Sequence, residues 1–464
     1  MTSLPNELLG LIFAYLEINH TEYNKTPSAE FINAAIVKLQ ILARCCRSSR
    51  TLRSLAEPLL YQTYIRGWIG ASPVPTSEQK VKARHLSLRR FTRTIIQRPD
   101  LANRIRHVII ENWNIRPKAV SRYKRDHDQL RALTDCVCQN TADLSVYRDE
   151  YFNEDLVRGT DDAEVTLLLT LLNNVVHLVV SLVPINQHAY YPGHVGSLLP
   201  HFRTDSVARS SALLGQLKTV TLMHPRGTRM DFAAAIPMYL ISNFYRAPVV
   251  ESIIVKDGVL VDAELNLCWY NSGRSSCVEE VVLDQCFMSD RSSGPVVSAF
   301  VKPCSRLRVF KYTVRNLETA VGSLHFRGVQ RALLTVTSML ESMYVDIGFA
   351  TLDFGGAGHA EERGFFAMHC FTSLRELTIG CRGIVVEHGY ALLPPAVDRL
   401  SIIDPTSDFL EPLLTGIRRL EHNIQKLTFI FSGDIATAAA SFDDMPFEEA
   451  LTGLGIAFDK IDME

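Results

Sequence analysis

The sequence predicts an α/β protein with a helical module at its N-terminus and, after it, an irregular solenoid built on a parallel sheet. Two patterns indicate this fold class. Residues 3–16 combine a helix start with apolar residues on more than one face. Ten later segments repeat the order apolar-x-x-apolar-x-apolar, which is typical of the short strands of repeat proteins.

Composition and charge limit the classes of function. The 464 residues are 47% hydrophobic and carry a formal net charge of −2. A chain without a global basic field is not expected to have nucleic acid as its main partner. Ten cysteines are scattered along the chain, and no signal peptide precedes the first helix. These features predict reduced thiols and a cytoplasmic or nuclear location.

The first segment, SLPNELLGLIFAYL, predicts a helix with two apolar stripes. Pro5 suits a first helical turn, because the N–H that proline lacks has no partner there. One stripe is enough to bury a helix in its own domain, so the other stripe predicts a partner. The stripes are Leu8, Ile12 and Tyr15 on one side and Leu9, Phe13 and Leu16 on the other.

The same segment and the residues after it resemble the F-box. The resemblance covers residues 1–65 and implies a three-helix module that docks on a Skp-family adaptor, and through it on a cullin-RING ubiquitin ligase. The run from Leu52 to Tyr61 is similar to the closing helix of fungal-type F-box proteins. The matching motif residues are Leu4, Pro5, Glu7, Leu8, Ile12, Leu16, Leu39, Leu42, Arg44, Cys45 and Arg47.

One departure from the F-box pattern is the long gap between the first and second predicted helices, from Glu17 to Lys38. Polar residues in this gap predict a surface loop, which leaves the helices intact and the adaptor contacts open. A generic helical cap on a larger domain is the alternative interpretation of the N-terminal module.

The repeated segments resemble leucine-rich repeats in a degenerate form. The central residues of the last seven segments are 23 to 34 residues apart, close to the roughly 20 to 29 residues of that repeat. The resemblance implies a right-handed solenoid, and a doubly wound α/β domain is the alternative. The segments are Ile105/Val108/Ile110, Val175/Leu178/Val180, Leu217/Val220/Leu222, Val250/Ile253/Val255, Val278/Val281/Leu283, Leu307/Phe310/Tyr312, Leu340/Met343/Val345, Leu374/Leu377/Ile379, Val397/Leu400/Ile402 and Ile424/Leu427/Phe429.

One apolar stretch, Val165 to Ile185, has the length of a membrane span. Two asparagines and a histidine in its middle would lack partners in a bilayer. We therefore predict a buried helix at Val165–Leu172 and a buried strand at Val175–Val183. No membrane is expected as a partner.

These patterns divide the chain into four predicted regions. Phe447, Leu451, Leu454 and Phe458 share one helix face in the last region, which predicts a capping helix with an acidic outer side. The regions are the module at 1–65, a linker and cap at 66–104, the solenoid at 105–433 with insertions at 112–163 and 184–210, and a capping helix or acidic tail at 434–464.

Catalytic and metal motifs are incomplete. Gly355-Gly-Ala-Gly358 lacks the third glycine of a dinucleotide fingerprint and the lysine of a P-loop. Cys136 and Cys138 have no second ligand pair at zinc spacing. The sequence therefore predicts no catalysis, no metal and no cofactor, although an enzyme of unrecognised type stays a third interpretation.

The F-box resemblance implies the substrate-recognition subunit of an SCF-type ubiquitin ligase, and the alternative is a non-catalytic repeat scaffold. In the ligase interpretation, the repeats bind a protein substrate through the positions between the core residues of each strand. The adaptor-facing residues carried over from the motif are Leu4, Pro5, Leu8, Ile12 and Leu16. The predicted substrate-binding residues are Thr219, Thr221, Glu280, Val282, Asp284, Val309, Lys311, Glu376, Thr378, Arg399, Ser401, Lys426 and Thr428.

Overall fold

The protein is an α/β chain that forms two compact units. The first comprises Met1–Ala234 and Arg246–Val250, and the second Ala235–Tyr245 and Glu251–Glu464. The structure, a computed structural model, describes residues 6–18, 29–66, 78–110, 152, 154–156, 161–181, 214–223, 241, 244–245, 247, 249–260, 276–288, 290–314, 326–346, 368–381, 384, 386–387, 390–419, 424–432 and 447–463.

Three helices open the first unit: α1 (Asn6–Leu16), α2 (Ala29–Ser48) and α3 (Arg50–Leu60). The hydroxyl of Ser49 caps α3 by accepting a hydrogen bond from the Leu52 N–H at 3.1 Å. The three helices pack around one apolar core. The buried residues of this core are Phe13, Leu16, Leu42 and Ala56.

Four parallel strands follow in the first unit, and each pairs with the next one along the chain. They are β1 (Thr63–Arg66), β2 (His107–Ile110), β3 (His177–Ser181) and β4 (Thr219–Met223). The helices that the structure describes between these strands are α4 (Glu78–Gln97), α5 (Pro99–Ala102) and α6 (Asp161–Leu171).

Among its described residues, the second unit has eight longer parallel strands, again in chain order. Two pairs of two-residue strands, β6 with β8 and β12 with β13, accompany them. In chain order, the described strands are β5 (Ser252–Lys256), β6 (Val259–Leu260), β7 (Glu280–Asp284), β8 (Phe287–Met288), β9 (Val309–Thr313), β10 (Ser342–Asp346), β11 (Glu376–Gly380), β12 (Val386–Glu387), β13 (Tyr390–Ala391), β14 (Arg399–Ile403), β15 (Lys426–Ser432) and β16 (Ala457–Met463). The helices in the described part of this unit are α7 (Asp290–Val301), α8 (Phe326–Leu333), α9 (Ser407–Arg419) and α10 (Phe447–Gly453), with a 3₁₀ turn at Met368–Cys370.

All ten strands predicted from the repeated pattern are present. Their central residues are register partners within each unit, and each is at most 1% exposed. A doubly wound sheet reverses its strand order at a switch point, and the described strands of neither unit do so. The partners are Val108, Leu178 and Val220 in the first unit and Ile253, Val281, Phe310, Met343, Leu377, Leu400 and Leu427 in the second.

In the apolar stretch that could be mistaken for a membrane span, the described residues form the predicted helix, turn and strand, with the helix beginning earlier, at Asp161, and the strand beginning later, at His177. Helix α6 ends at Leu171, Asn173 and Asn174 form a turn, and β3 follows. Residues 162–170 are all buried. None of the described helices is both long and apolar enough to cross a bilayer.

Two predicted boundaries are corrected by the structure. The linker part of 66–104 is helical from Glu78, where α4 begins. The predicted capping helix ends at Gly453 and is followed by β16, so Phe458 lies on a strand.

A Schellman-type turn ends helix α10. Gly455 has φ +72°, its N–H donates to the Thr452 carbonyl at 3.0 Å, and the Ile456 N–H donates to the Leu451 carbonyl at 3.0 Å. Both apolar partners, Leu451 and Ile456, are buried. This turn supplies the two terminal hydrogen bonds and the apolar contact that stop a helix.

Candidate protein-interaction surfaces

Helix α1 exposes an apolar face. Leu8 is 48%, Leu11 68%, Ile12 48% and Tyr15 78% exposed. Their spacing of i, i+3, i+4 and i+7 places all four on one side of the helix. We call these four residues the α1 face.

The other side of α1 holds the helix in its module. Phe13 is 5% and Leu16 6% exposed, and both belong to the three-helix core together with Leu42 and Ala56. The two stripes inferred from the sequence therefore differ in their environment. Phe13 and Leu16 of one stripe are buried and its Leu9 is half-buried, whereas the other stripe faces outward.

The residues predicted to face an adaptor fall into three groups. Leu8 and Ile12 lie on the α1 face, whereas Leu16 is buried in the module core. Leu4 and Pro5 lie outside the described residues. Leu11 was not singled out from the sequence, although its spacing from Leu8 and Tyr15 could have identified it.

Lys38 of α2 contacts the C-terminal end of α1. Its ammonium group donates to the carbonyl oxygen of Glu17 at 2.9 Å, and it lies 5.3 Å from the centroid of the Tyr15 ring. The carbonyl ends of a helix carry partial negative charge, so this contact is charge-assisted.

In the first unit, the side of the sheet that carries the positions between the core residues is packed against helix α2. The positions between core residues, such as Ile109 and Val179, are buried with Met223, and Phe31 of α2 packs on this cluster. Thr221, predicted to bind substrate, is buried, and Thr219 is half-buried. Helix α2 thus joins the three-helix module to the strands of the first unit.

In the second unit, ten of the predicted substrate-binding residues form two rows across the strands, together with Ser342 and Tyr344, which were not predicted. The first row is Glu280, Val309, Ser342, Glu376, Arg399 and Lys426, and the second row is Val282, Lys311, Tyr344, Thr378, Ser401 and Thr428. Side chains alternate along a strand, so both rows leave the sheet on the same side, which we call the inner face. Val282 and Thr428 are buried, and the other ten are half-buried or exposed.

Opposite charges pair at both ends of the inner face. The Lys426 ammonium lies 2.6 Å from the Asp459 carboxylate, and Arg399 contacts Glu376. Toward the other end, Lys256 lies 3.6 Å from Asp284. The inner face is therefore polar with balanced charge.

Hydroxyl groups add to this network. Ser252 donates to the Glu280 carboxylate at 2.5 Å, and Thr313 donates to the Asp284 carboxylate at 2.9 Å.

Lys311 and Tyr344 form the centre of the inner face. The Lys311 ammonium lies 4.6 Å from the centroid of the Tyr344 ring, within the range of a cation–π contact. Burial raises the pKa of Tyr344 to about 12, with smaller contributions from Asp346 and Asp284. The phenol stays neutral at physiological pH and can donate or accept a hydrogen bond.

Metal sites require a set of ligand side chains, and reactive cysteines require a thiolate. No group of three or more potential metal ligands occurs among the residues that the structure describes. All seven described cysteines are free, and burial raises the pKa of the Cys304 thiol to about 12. Such a thiol is a poor nucleophile. Cys136, Cys138 and the segment Gly355–Gly358 lie outside the described residues.

No family model matches this chain. Among curated proteins, none is significantly similar to it.

Proposed function

We propose that the protein is the substrate-recognition subunit of an SCF-type cullin-RING ubiquitin ligase. In this proposal the α1 face binds a Skp-family adaptor, and the inner face of the second unit binds a protein substrate. The chain itself catalyses nothing, because ubiquitin transfer belongs to its partners.

The exposure of the α1 face carries the proposal. A helix that served only as a cap would bury both of its stripes within the chain. Here the stripe of Phe13 and Leu16 is buried, and the stripe of Leu8 and Ile12 is not. A contiguous row of large exposed apolar side chains is typical of a protein-interaction site.

The packing of the module also supports adaptor binding. Phe13 and Leu16 fix α1 against α2 and α3 without using the α1 face. The face is therefore ordered before a partner arrives, which lowers the entropic cost of association. The motif residues that resemble the F-box supply the identity of that partner.

We infer that the strands belong to degenerate leucine-rich repeats, and the backbone supports this assignment. Before six strands of the second unit, two consecutive N–H groups donate to one carbonyl oxygen of the preceding repeat. The Cys286 thiol contacts the Val255 carbonyl at 3.4 Å, at the position where the repeat pattern places a turn-closing residue. The six acceptors are the carbonyls of Glu251, Glu279, Arg308, Glu341, Arg375 and Asp398.

The inner face of the second unit suits a protein substrate. Its charges of both signs lie among serine and threonine hydroxyls, and Lys311 with Tyr344 supplies an amphipathic centre. Protein interfaces have this mixed character, whereas small-molecule sites are concave and mostly apolar.

The decisive experiment is co-expression of the full chain with a Skp-family adaptor, followed by size-exclusion chromatography. The parent should co-elute with the adaptor. The double variant Leu8→Asp/Ile12→Asp should lose more than about tenfold in affinity, because charges would replace the centre of an apolar interface.

Leu454→Asp is the matched control, because Leu454 is 41% exposed in the second unit, outside the α1 face. It should co-elute like the parent. A parent that elutes without the adaptor, or a double variant that still binds it with parental affinity, would overturn the proposal.

A further inference from the structure

The rotation of α1 about its own axis sets the direction of the α1 face. Phe13 and Leu16 lie one turn apart on the buried stripe, so they hold one line of contact along the helix. Rotation of the helix about that line changes the direction of the α1 face. Ile18, buried just after the helix, anchors the chain but not the face itself.

A contact away from that line restricts this rotation. The Lys38 ammonium binds the Glu17 carbonyl at 2.9 Å and lies 5.3 Å from the ring of Tyr15, a residue of the α1 face. Lys38 precedes Leu39, which packs on the module core from the same helix. One side chain therefore connects the core-bearing helix α2 both to the end of α1 and to its exposed face.

We propose that Lys38 is a positioning residue for adaptor binding, which fixes the rotation of α1 and hence the direction of the α1 face. This inference rests on the proposed function. It assigns Lys38 no adaptor contact of its own. The Glu17 carbonyl stands at the negative end of the helix dipole, where an ammonium group is favoured over any neutral side chain.

Lys38 lies within helix α2, which begins at Ala29, so the surface loop predicted from Glu17 to Lys38 is wrong in its second half. The hydrogen bond from Lys38 to Glu17 therefore joins the end of α1 to a helix whose next residue, Leu39, packs on the module core.

The test uses the full chain and a purified Skp-family adaptor, with affinity measured by titration calorimetry. Lys38→Met keeps the aliphatic stem and removes the donor, and Lys38→Arg restores a cationic donor. We expect Lys38→Met to weaken adaptor affinity about tenfold, as expected for a lost charged hydrogen bond. Lys38→Arg should recover most of that loss.

Arg50→Met is the matched control, since Arg50 is an exposed cation at the start of α3 in the same module. It should leave both affinity and the thermal midpoint unchanged. Lys38→Met should share this midpoint, which separates positioning from folding. Hydrogen exchange in the free protein should be faster at the amides of residues 13–17 in Lys38→Met alone.

The results for the parent and for Lys38→Met separate a failure of the Lys38 inference from a failure of the proposed function. A parent that binds the adaptor together with a Lys38→Met variant of equal affinity overturns the inference and leaves the proposed function standing. A Lys38→Met variant that loses affinity only in proportion to a lowered midpoint also overturns it. A parent that fails to bind overturns the proposed function, and the inference with it.

Discussion

The imidazole rings of His107 and His177 stack across strands β2 and β3, with 4.9 Å between their centroids and 9° between their planes. The two residues are register partners, so both side chains leave the sheet on the same side. His107 is only 4% exposed. Burial, with a smaller contribution from Lys218, lowers the pKa of His177.

The lowered pKa of His177 predicts that the folded protein loses stability in mild acid. The unfolded chain binds a proton on histidine near pH 6.5, whereas folded His177 binds it only at lower pH. The contribution of neutral His177 to the free energy of unfolding is therefore fully present above about pH 6.5, and it is lost as the pH falls toward the folded pKa. Urea unfolding between pH 7.5 and 5.5 should show a falling free energy of unfolding.

His177→Gln should flatten that pH dependence, because it removes the group with the lowered pKa. His369→Gln is the control, since His369 is exposed in the second unit. If both variants keep the parental slope, burial of His177 does not contribute to the pH dependence.

Phe31 packs the three-helix module against the strands of the first unit. Its ring packs on the buried cluster of Ile109, Val179 and Met223. Because Phe31 is only partly buried, Phe31→Ala should cost about 1 to 3 kcal/mol of unfolding free energy, below the value for a full core phenylalanine.

Tyr15→Ala is the matched aromatic control, because Tyr15 is 78% exposed. It should change stability by less than about 0.5 kcal/mol. Urea unfolding of both variants decides the point, and equal losses would show that Phe31 does not hold the module to the strands.

The sequence predicted the strands in which all three positions of the repeated apolar pattern are apolar, and it missed β1 and β16. Strands β1 and β16 are register neighbours of predicted strands. The third core position is Arg66 in β1 and Lys460 in β16, so neither matches the apolar pattern. Outermost strands lack a neighbour on one side and tolerate charge at a core position.

The candidate site was also predictable in part. Helical periodicity alone grouped Leu16 with Phe13, and both are buried. The F-box resemblance instead placed Leu16 among the adaptor-facing residues, so the periodicity of this chain described its environment better than the transferred motif. The burial of Thr221 depends on packing between distant parts of the chain, which local pattern does not encode.

Gly416 of helix α9 predicts a strong steric effect. A Cβ added there would lie 2.6 Å from the backbone oxygen and 3.2 Å from the backbone nitrogen of Ala391 in β13. Alanine gains about 1 kcal/mol in helix propensity, but overpacking against backbone costs about 1 to 3 kcal/mol. We expect Gly416→Ala to lower the thermal midpoint.

Gly10→Ala is the helical control, because a Cβ at Gly10 would meet nothing within 4 Å. It should raise stability or leave it unchanged. A Gly416→Ala variant as stable as Gly10→Ala would contradict the close approach of α9 and β13.

In the turn after helix α10, the backbone conformation of Gly455, and not the room for a side chain, determines the effect of a substitution. A Cβ at Gly455 would also meet nothing within 4 Å, but the residue has φ +72°. Alanine is strained in this left-handed region, so Gly455→Ala should destabilise the protein by about 1 kcal/mol. Gly453 is the control, since it lies in the helix itself with equal space around it.

Gly453→Ala should therefore be neutral or stabilising by up to about 1 kcal/mol, from helix propensity. The opposite signs at two glycines two residues apart, measured by urea unfolding, would identify the left-handed turn as the feature that ends the helix and starts β16. Equal effects of the two substitutions would mean that the turn does not require glycine at Gly455, and that the helix stop depends on the burial of Leu451 and Ile456 alone.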